Sequence, residues 1–173
     1  NIQTRLEKLS HKFGEKRTIE GKELFLFPKP EKLANASITD IAKCGLGYRS
    51  KYVKKAAIAV NKGIIDFSSL KKQDYQEARD SLCQVFGIGK KVADCILLFS
   101  LDKLEAVPLD RWVLRILQKY YSDRFEIKTK SITEKTYDEL HEKIIEYFGE
   151  YAGYAQQFLF KNERDNSDKK WLG

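Results

Sequence analysis

Lys91 and Asp110 are the pair in this 173-residue chain whose types and spacing could do covalent chemistry together. Lys91 follows Gly87–Ile88–Gly89–Lys90 and falls in the first turn of an expected helix, Lys90–Leu101. A helix N-terminus disfavours a cation and so favours the neutral amine. A neutral amine is a nucleophile toward electrophilic carbon, including a sugar C1′. On spacing alone, a solvated or phosphate-binding lysine is the better account. Asp110 comes nineteen residues later, across one helix and one loop, so that a chain reversal can bring the two into one cleft. A carboxylate there could stabilise a cationic sugar transition state or shuttle protons. It could also be the N-cap of a helix over 111–121, and the two roles are compatible. Cys95 stands one helical turn beyond Lys91 on the same face, where a small core hydrophobe is the plain account.

The elements that must position these residues begin with Gly87 and Gly89, which separate expected helices over 73–85 and Lys90–Leu101. Positive φ costs glycine little. A turn bare of side chains lets backbone N–H groups approach a phosphate, and the following helix aims its positive end the same way. Together these make a helix–hairpin–helix over about 73–101 that could hold one DNA strand without reading its sequence. A plain glycine-bearing turn is the alternative, and Lys90, Lys91 and the basic composition bring the two accounts level. In the second helix, Val92, Cys95, Ile96 and Phe99 are expected to form the apolar face. On an earlier glycine turn, Tyr48 and Arg49 pair an aromatic with a cation. Such a pair can wedge into a base stack and hydrogen-bond an unpaired base, although an ordinary surface turn also explains it. His11 and His141 are isolated and take no role.

The whole chain reads as nearly all helical, with an ordinary hydrophobic content of 42% and no convincing sheet. Ile2–Phe13 is an amphipathic helix, 14–22 a polar loop, and Leu24 to Phe27 an extended segment that tucks aromatics inward. Ser37 and Ser50 are expected caps, the latter of a helix presenting Val53, Ala56, Ala57 and Val60. Residues 64–70 form a connector. Thr133 caps a helix with Tyr137, Leu140, Ile144 and Phe148 in register. A last helix spans 154–160, followed by a polar tail carrying Trp171. The net charge of +7 suggests a polyanionic partner. Three scattered cysteines, with no CxxC pair, predict a reducing, intracellular, cytoplasmic setting. The N-terminus does not read as a signal peptide, and no apolar run has the length of a membrane span.

Gly87–Ile88–Gly89–Lys90–Lys91–Val92–Ala93–Asp94–Cys95, followed by Val107–Pro108–Leu109–Asp110, resembles the helix–hairpin–helix DNA glycosylases with a Gly/Pro-rich loop and aspartate. Within that superfamily the chain resembles 8-oxoguanine DNA glycosylase/AP lyases. This rests on Gly45–Leu46–Gly47–Tyr48–Arg49 with Tyr52–Val53, and on Tyr151–Ala152–Gly153–Tyr154–Ala155–Gln156 with Leu159–Phe160.

The resemblance implies an all-α fold of two helical lobes, 14–107 and 1–13 plus 108–173, with the active site in the cleft between them. It implies Lys91 as Schiff-base nucleophile, Asp110 as catalytic carboxylate, Tyr48 as wedge and Arg49 on the orphaned cytosine. Gln156 would read the edge of the flipped base, sandwiched by Cys95 and Phe160. Hairpin amides near Gly87, Gly89 and Val92, with Lys90, would hold the strand. The carbonyls of Cys83, Val85 and Ile88 would bind a structural monovalent cation. No cofactor is required, and no iron–sulfur cluster is expected because no cysteine follows Cys95.

Trp112 stands where larger relatives have a phosphate-binding histidine. There is no room for their extra N-terminal sheet domain, which points to the compact, archaeal-type branch, where Trp171 could help read the base. The implied partner is duplex DNA containing 8-oxoguanine opposite cytosine, bound by a monomer without any membrane. Rivals are an endonuclease III-like glycosylase for oxidised pyrimidines and a non-catalytic helix–hairpin–helix DNA-binding module.

Overall fold

The computed structural model describes residues 2–127 and 132–166; Trp171 lies outside them. Helix α1 (Ile2–Phe13) leads into strands β1 (Lys16–Ile19) and β2 (Lys22–Phe25), then α2 (Pro30–Asn35), α3 (Ile38–Ile41) and α4 (Ser50–Asn61). Helices α5 (Phe67–Lys72), α6 (Tyr75–Cys83), α7 (Lys90–Leu101), α8 (Arg111–Tyr120), α9 (Glu134–Phe148) and α10 (Ala152–Asn166) complete the described chain. By packing it divides into Asn1–Ser68 with Ser81–Ile88, and Ser69–Asp80 with Gly89–Gly173.

In the first unit, Leu9 of α1 packs with Leu33, Ile41, Cys44 and Ala57 in one apolar cluster. Helix α1 therefore belongs with the segments that follow it, whereas the expected lobes grouped it with 108–173. The polar loop expected over 14–22 is half of a β-hairpin, in register Ile19 with Lys22 and Lys16 with Phe25. Glu20 and Gly21 both take positive φ, 50° and 73°, as a two-residue turn of type I′ requires. Leu26 and Phe27 are exposed, so this segment does not bury its aromatics as expected. Ser37 caps α3, its Oγ accepting from the Asp40 N–H at 3.0 Å. Ser50 does not cap α4: it is buried in the first turn and donates its hydroxyl to the Gly47 carbonyl at 2.6 Å.

The second unit is built around Val107, Leu109, Val113, Leu114, Leu117, Tyr137, Leu140 and Ile144. Helix α8 carries the apolar stripe and α9 supplies the facing one. Thr133 caps α9 as expected, accepting from the Thr136 N–H at 3.2 Å. The connector expected over 64–70 is partly helix α5. Helix α7 has the expected bounds but a different buried face: Ala93, Asp94, Leu97, Leu98 and Leu101 are inside, while Val92 and Phe99 are exposed. A reading by hydropathy discards the face that contains Asp94, and that face is the one that packs.

Candidate active site

Lys91 and Asp110 line one open cleft of about 370 Å³ in the second unit. Gly89, Val92, Arg111, Thr133 and Tyr137 share its walls. Lys91 is in the first turn of α7, exposed, with its backbone N–H among those that have no intrahelical acceptor. Cys95 is half-buried one turn on, near the Lys91 amine. Burial pushes its thiol up, against the pull of the Lys91 amine and with further upward pushes from Asp94 and then Asp110. Cys95 therefore lies within reach of the charges of both Lys91 and Asp110.

Asp110 is fixed by its own backbone surroundings. It takes extended backbone, φ −110° and ψ 179°, and its Oδ1 accepts from Trp112 N–H at 2.9 Å and Val113 N–H at 3.0 Å. Oδ2 is engaged by neither amide, so one oxygen anchors the carboxylate while the other is left for chemistry. The segment leading to it is buried from Ala106 through Leu109. Gly153, at the start of α10, lets that helix close on the same segment. Its N–H donates to the Leu104 carbonyl at 2.8 Å, and a Cβ there would fall 2.3 Å from the Ala106 carbonyl oxygen.

Behind the cleft lies a buried polar network that sequence reasoning missed. Asp94 is fully buried and accepts Tyr75 Oη–H at 2.7 Å on Oδ1 and Tyr137 Oη–H at 2.5 Å on Oδ2. Arg79 donates to Tyr75 Oη at 3.1 Å. Leu109 N–H donates to Tyr137 Oη at 3.2 Å, and Val107 N–H donates to His141 Nε2 at 3.3 Å. Burial pushes the Asp94 carboxyl up to about 6, against the pull of both hydroxyls. Burial, helped by the Arg79 charge, pulls His141 down to about 4 and keeps it neutral near pH 7. Burial followed by the Asp94 charge pushes both tyrosines well above the phenol range. A sequence signal existed: an aspartate at the apolar spacing of α7, and a Tyr–His pair at i, i+4 in α9.

The remaining predicted residues are distributed as follows. Gly87 has φ +94°, and a Cβ on it would sit 2.4 Å from the Tyr52 ring. Gly89 is extended, φ −97° and ψ 174°, with open space around it, so neither conformation nor packing demands glycine there. Val92 N–H, expected to hold phosphate, donates to the Gly89 carbonyl at 2.9 Å, whereas the N–H groups of Gly87, Gly89, Lys90 and Lys91 are shown with no acceptor among the described residues. The Lys90 amine pairs with Asp138 Oδ2 at 2.5 Å and donates to the Glu134 carbonyl at 3.3 Å.

In the first unit, Tyr48 is 64% exposed with the Arg49 guanidinium 4.5 Å from its ring centre. Tyr48, Tyr52 and Phe86 form a chain of ring contacts at 6.2 and 5.5 Å, with Lys51 over the last two. The carbonyls of Cys83, Val85 and Ile88, expected to bind a structural monovalent cation, are neutral oxygens within six residues. That of Val85 already accepts Ile88 N–H at 2.9 Å.

Gln156 is buried, accepts from Gln157 at 2.6 Å, and lines a small apolar cavity with Val107, Leu117 and Ile144. Phe160 meets Trp112 edge to face at 6.4 Å, and the Trp112 amide is one of the two that anchor Asp110. Among the described residues, no group of three or more His, Cys, Asp or Glu could hold a metal ion, and no helix is long and apolar enough to cross a membrane.

Comparison with known proteins gives this geometry a family. The chain is 37% identical over 146 residues to the N-glycosylase/DNA lyase OGG1 of Arabidopsis thaliana, covering 82% of this chain and 40% of that protein. It is 29% identical over 178 residues to a probable N-glycosylase/DNA lyase of Methanothermobacter thermautotrophicus, covering 92% and 54%. The structure superposes with a TM-score of 0.80, at 32% identity, on Clostridium acetobutylicum 8-oxoguanine glycosylase/lyase in complex with duplex DNA containing cytosine opposite 8-oxoguanine. That match covers 95% of this chain and 54% of the other. The chain thus spans about half the length of these relatives, which come from a plant, an archaeon and a bacterium and do not single out the compact, archaeal-type branch. The model of the HhH-GPD superfamily of base excision DNA repair proteins matches residues 2–143, which include Lys91, Asp110, Tyr137 and His141, and the chain belongs to that superfamily.

Proposed function

We propose that this chain excises 8-oxoguanine paired with cytosine from duplex DNA and then nicks the strand. The observation that carries the reading is the shared cleft of Lys91 and Asp110, with one Asp110 oxygen tied to the α8 amides and the other not. Lys91 Nζ attacks C1′ of the flipped nucleotide. The N-glycosidic bond breaks, its electron pair leaves with the base, and the base takes up a proton. The free Asp110 oxygen stabilises the positive charge that develops at the sugar. Loss of an amine proton and ring opening give a Schiff base. Removal of a C2′ proton then expels the 3′ phosphate by β-elimination. No redox cofactor or catalytic metal enters this sequence.

The other assignments follow from the same reading. Open amides of Gly89, Lys90 and Lys91 would receive a backbone phosphate, and Gly87 would set the turn. Tyr48 would wedge the stack and Arg49 would contact the orphaned cytosine. Cys95, Gln156 and Phe160 would form the base pocket, and a monovalent cation would sit on the carbonyls of Cys83, Val85 and Ile88. The enzyme would act as a monomer on DNA in the cytoplasm.

Borohydride trapping tests the reading. Wild-type protein incubated with duplex carrying 8-oxoguanine opposite cytosine forms a covalent adduct, and Lys91→Gln forms none. Equal trapping by the variant would overturn the nucleophile assignment. Preference for an oxidised pyrimidine would overturn the substrate.

A further inference from the structure

The sequence separates Lys91 from Asp110 by nineteen residues, and neither reaches the other through its own helix. Something must fix their separation, because a nucleophile and a charge-stabilising group misplaced by about 1 Å lose up to about a hundredfold in rate. Asp94 lies three residues beyond Lys91 in α7, and Leu109 immediately precedes Asp110. The hydroxyl of Tyr137 joins the two. It donates to Asp94 Oδ2 at 2.5 Å and accepts Leu109 N–H at 3.2 Å. Tyr137 is 6% exposed, packs in the core of the second unit, and its ring also lines the cleft that Lys91 and Asp110 share. No other side chain among the described residues is shown to contact both α7 and the Leu109 amide.

We propose that Tyr137 is a positioning residue that sets Asp110 against Lys91, by bridging the helix that carries the nucleophile to the loop that carries the carboxylate. The inference rests on the proposed glycosylase reading for its kinetic consequence, but its geometry concerns this chain alone. Tyr75 supplies the control. It donates to the other oxygen of Asp94, at 2.7 Å, and its Oη also meets His141 Nε2 at 2.8 Å, which accepts the Val107 amide; it makes no contact with the Leu109 amide. Removing either hydroxyl takes one hydrogen bond from the same buried carboxylate. Only Tyr137→Phe also frees Leu109.

Tyr137→Phe and Tyr75→Phe are compared with wild type in single-turnover excision with enzyme in excess, alongside amide hydrogen exchange at Leu109. Tyr137→Phe should slow excision about tenfold at saturating enzyme, with unchanged half-saturation and with lost protection of the Leu109 amide. Tyr75→Phe should keep both the rate and the protection while losing comparable thermal stability. Wild-type rate in Tyr137→Phe, or an equal rate loss in Tyr75→Phe, overturns the proposal. Wild-type protein that leaves 8-oxoguanine intact overturns the proposed function instead. The exchange measurement still decides the bridge in that case, since unchanged Leu109 protection in Tyr137→Phe refutes it without any substrate.

Discussion

Gly87→Ala is the substitution whose cost can be worked most directly from the geometry. Two terms add. Alanine at φ +94° occupies a conformation that L-residues avoid, at about 1–2 kcal/mol. Its Cβ would also lie 2.4 Å from Cδ1, 2.7 Å from Cγ and 2.8 Å from Cβ of Tyr52. The Tyr52 Cβ is bonded to the α4 backbone, so rotation of the ring does not clear the contact and the helix itself must yield. Overpacking of that kind costs roughly 1–3 kcal/mol. The sum, about 2–5 kcal/mol, is a large part of a typical domain stability of roughly 5–15 kcal/mol. Urea unfolding should show this loss as a lower midpoint at unchanged slope. In a Tyr52→Ala background, which removes the ring contacts at 2.4 and 2.7 Å but keeps the Cβ contact at 2.8 Å, the loss should shrink without falling to the conformational term alone. Gly89→Ala is the internal comparison. It is extended with nothing near, so it should leave the midpoint within about 0.5 kcal/mol of wild type while weakening binding to lesion-containing duplex. A Gly87→Ala midpoint equal to wild type, or a loss equal in both backgrounds, refutes the steric argument.

Asp110→Asn and Asp110→Ala separate capping from chemistry: both should abolish most excision, but only the alanine should lose about 1 kcal/mol of stability, because asparagine still caps α8. The two shifted groups behind the cleft make opposite contributions to acid stability. Asp94, raised to about 6 when folded, adds stability as pH falls from 6 toward 4 and loses it as pH rises through 6; His141, lowered to about 4, contributes stability above 6.5 that is lost as pH falls through 4. Each amounts to about 3 kcal/mol and the two largely offset. His141→Gln removes one side of the balance, so its stability relative to wild type should climb by about that amount between pH 6.5 and pH 4 in urea titrations; a constant difference across that range would show that His141 is not buried neutral.

Much of the fold was legible because capping and helical periodicity are local. Ser37, Asp110 and Thr133 each announce a helix start, and each makes the side-chain bond that the announcement implies. The failures share a cause, which is that hydropathy was allowed to overrule local geometry or polar burial. Glu20–Gly21 is a turn pair that closes a hairpin between strands too polar to be recognised as such. Ser50 looks like a cap by type, but the three residues before it already form a tight turn, and its hydroxyl serves that turn's carbonyl.

The site was legible in a different way. Lys91 and Asp110 could be singled out by type and spacing, but their roles, and that of Cys95, come from the family resemblance, since spacing alone favours a solvated lysine and a core cysteine. What holds them in place could not be read by the same rule, because the holding residues do no chemistry. Asp94 sits on the buried face of α7, where its charge makes it look like a surface position, and it is tolerable there only because two tyrosine hydroxyls complete its hydrogen bonding. One of those tyrosines belongs to α9, forty-three residues away in sequence. A buried carboxylate of this kind contributes little net stability. Its place in the helix that carries Lys91 is better explained by geometry: an apolar residue at 94 could fill the space, but it could not fix the hydroxyl that holds the amide beside Asp110.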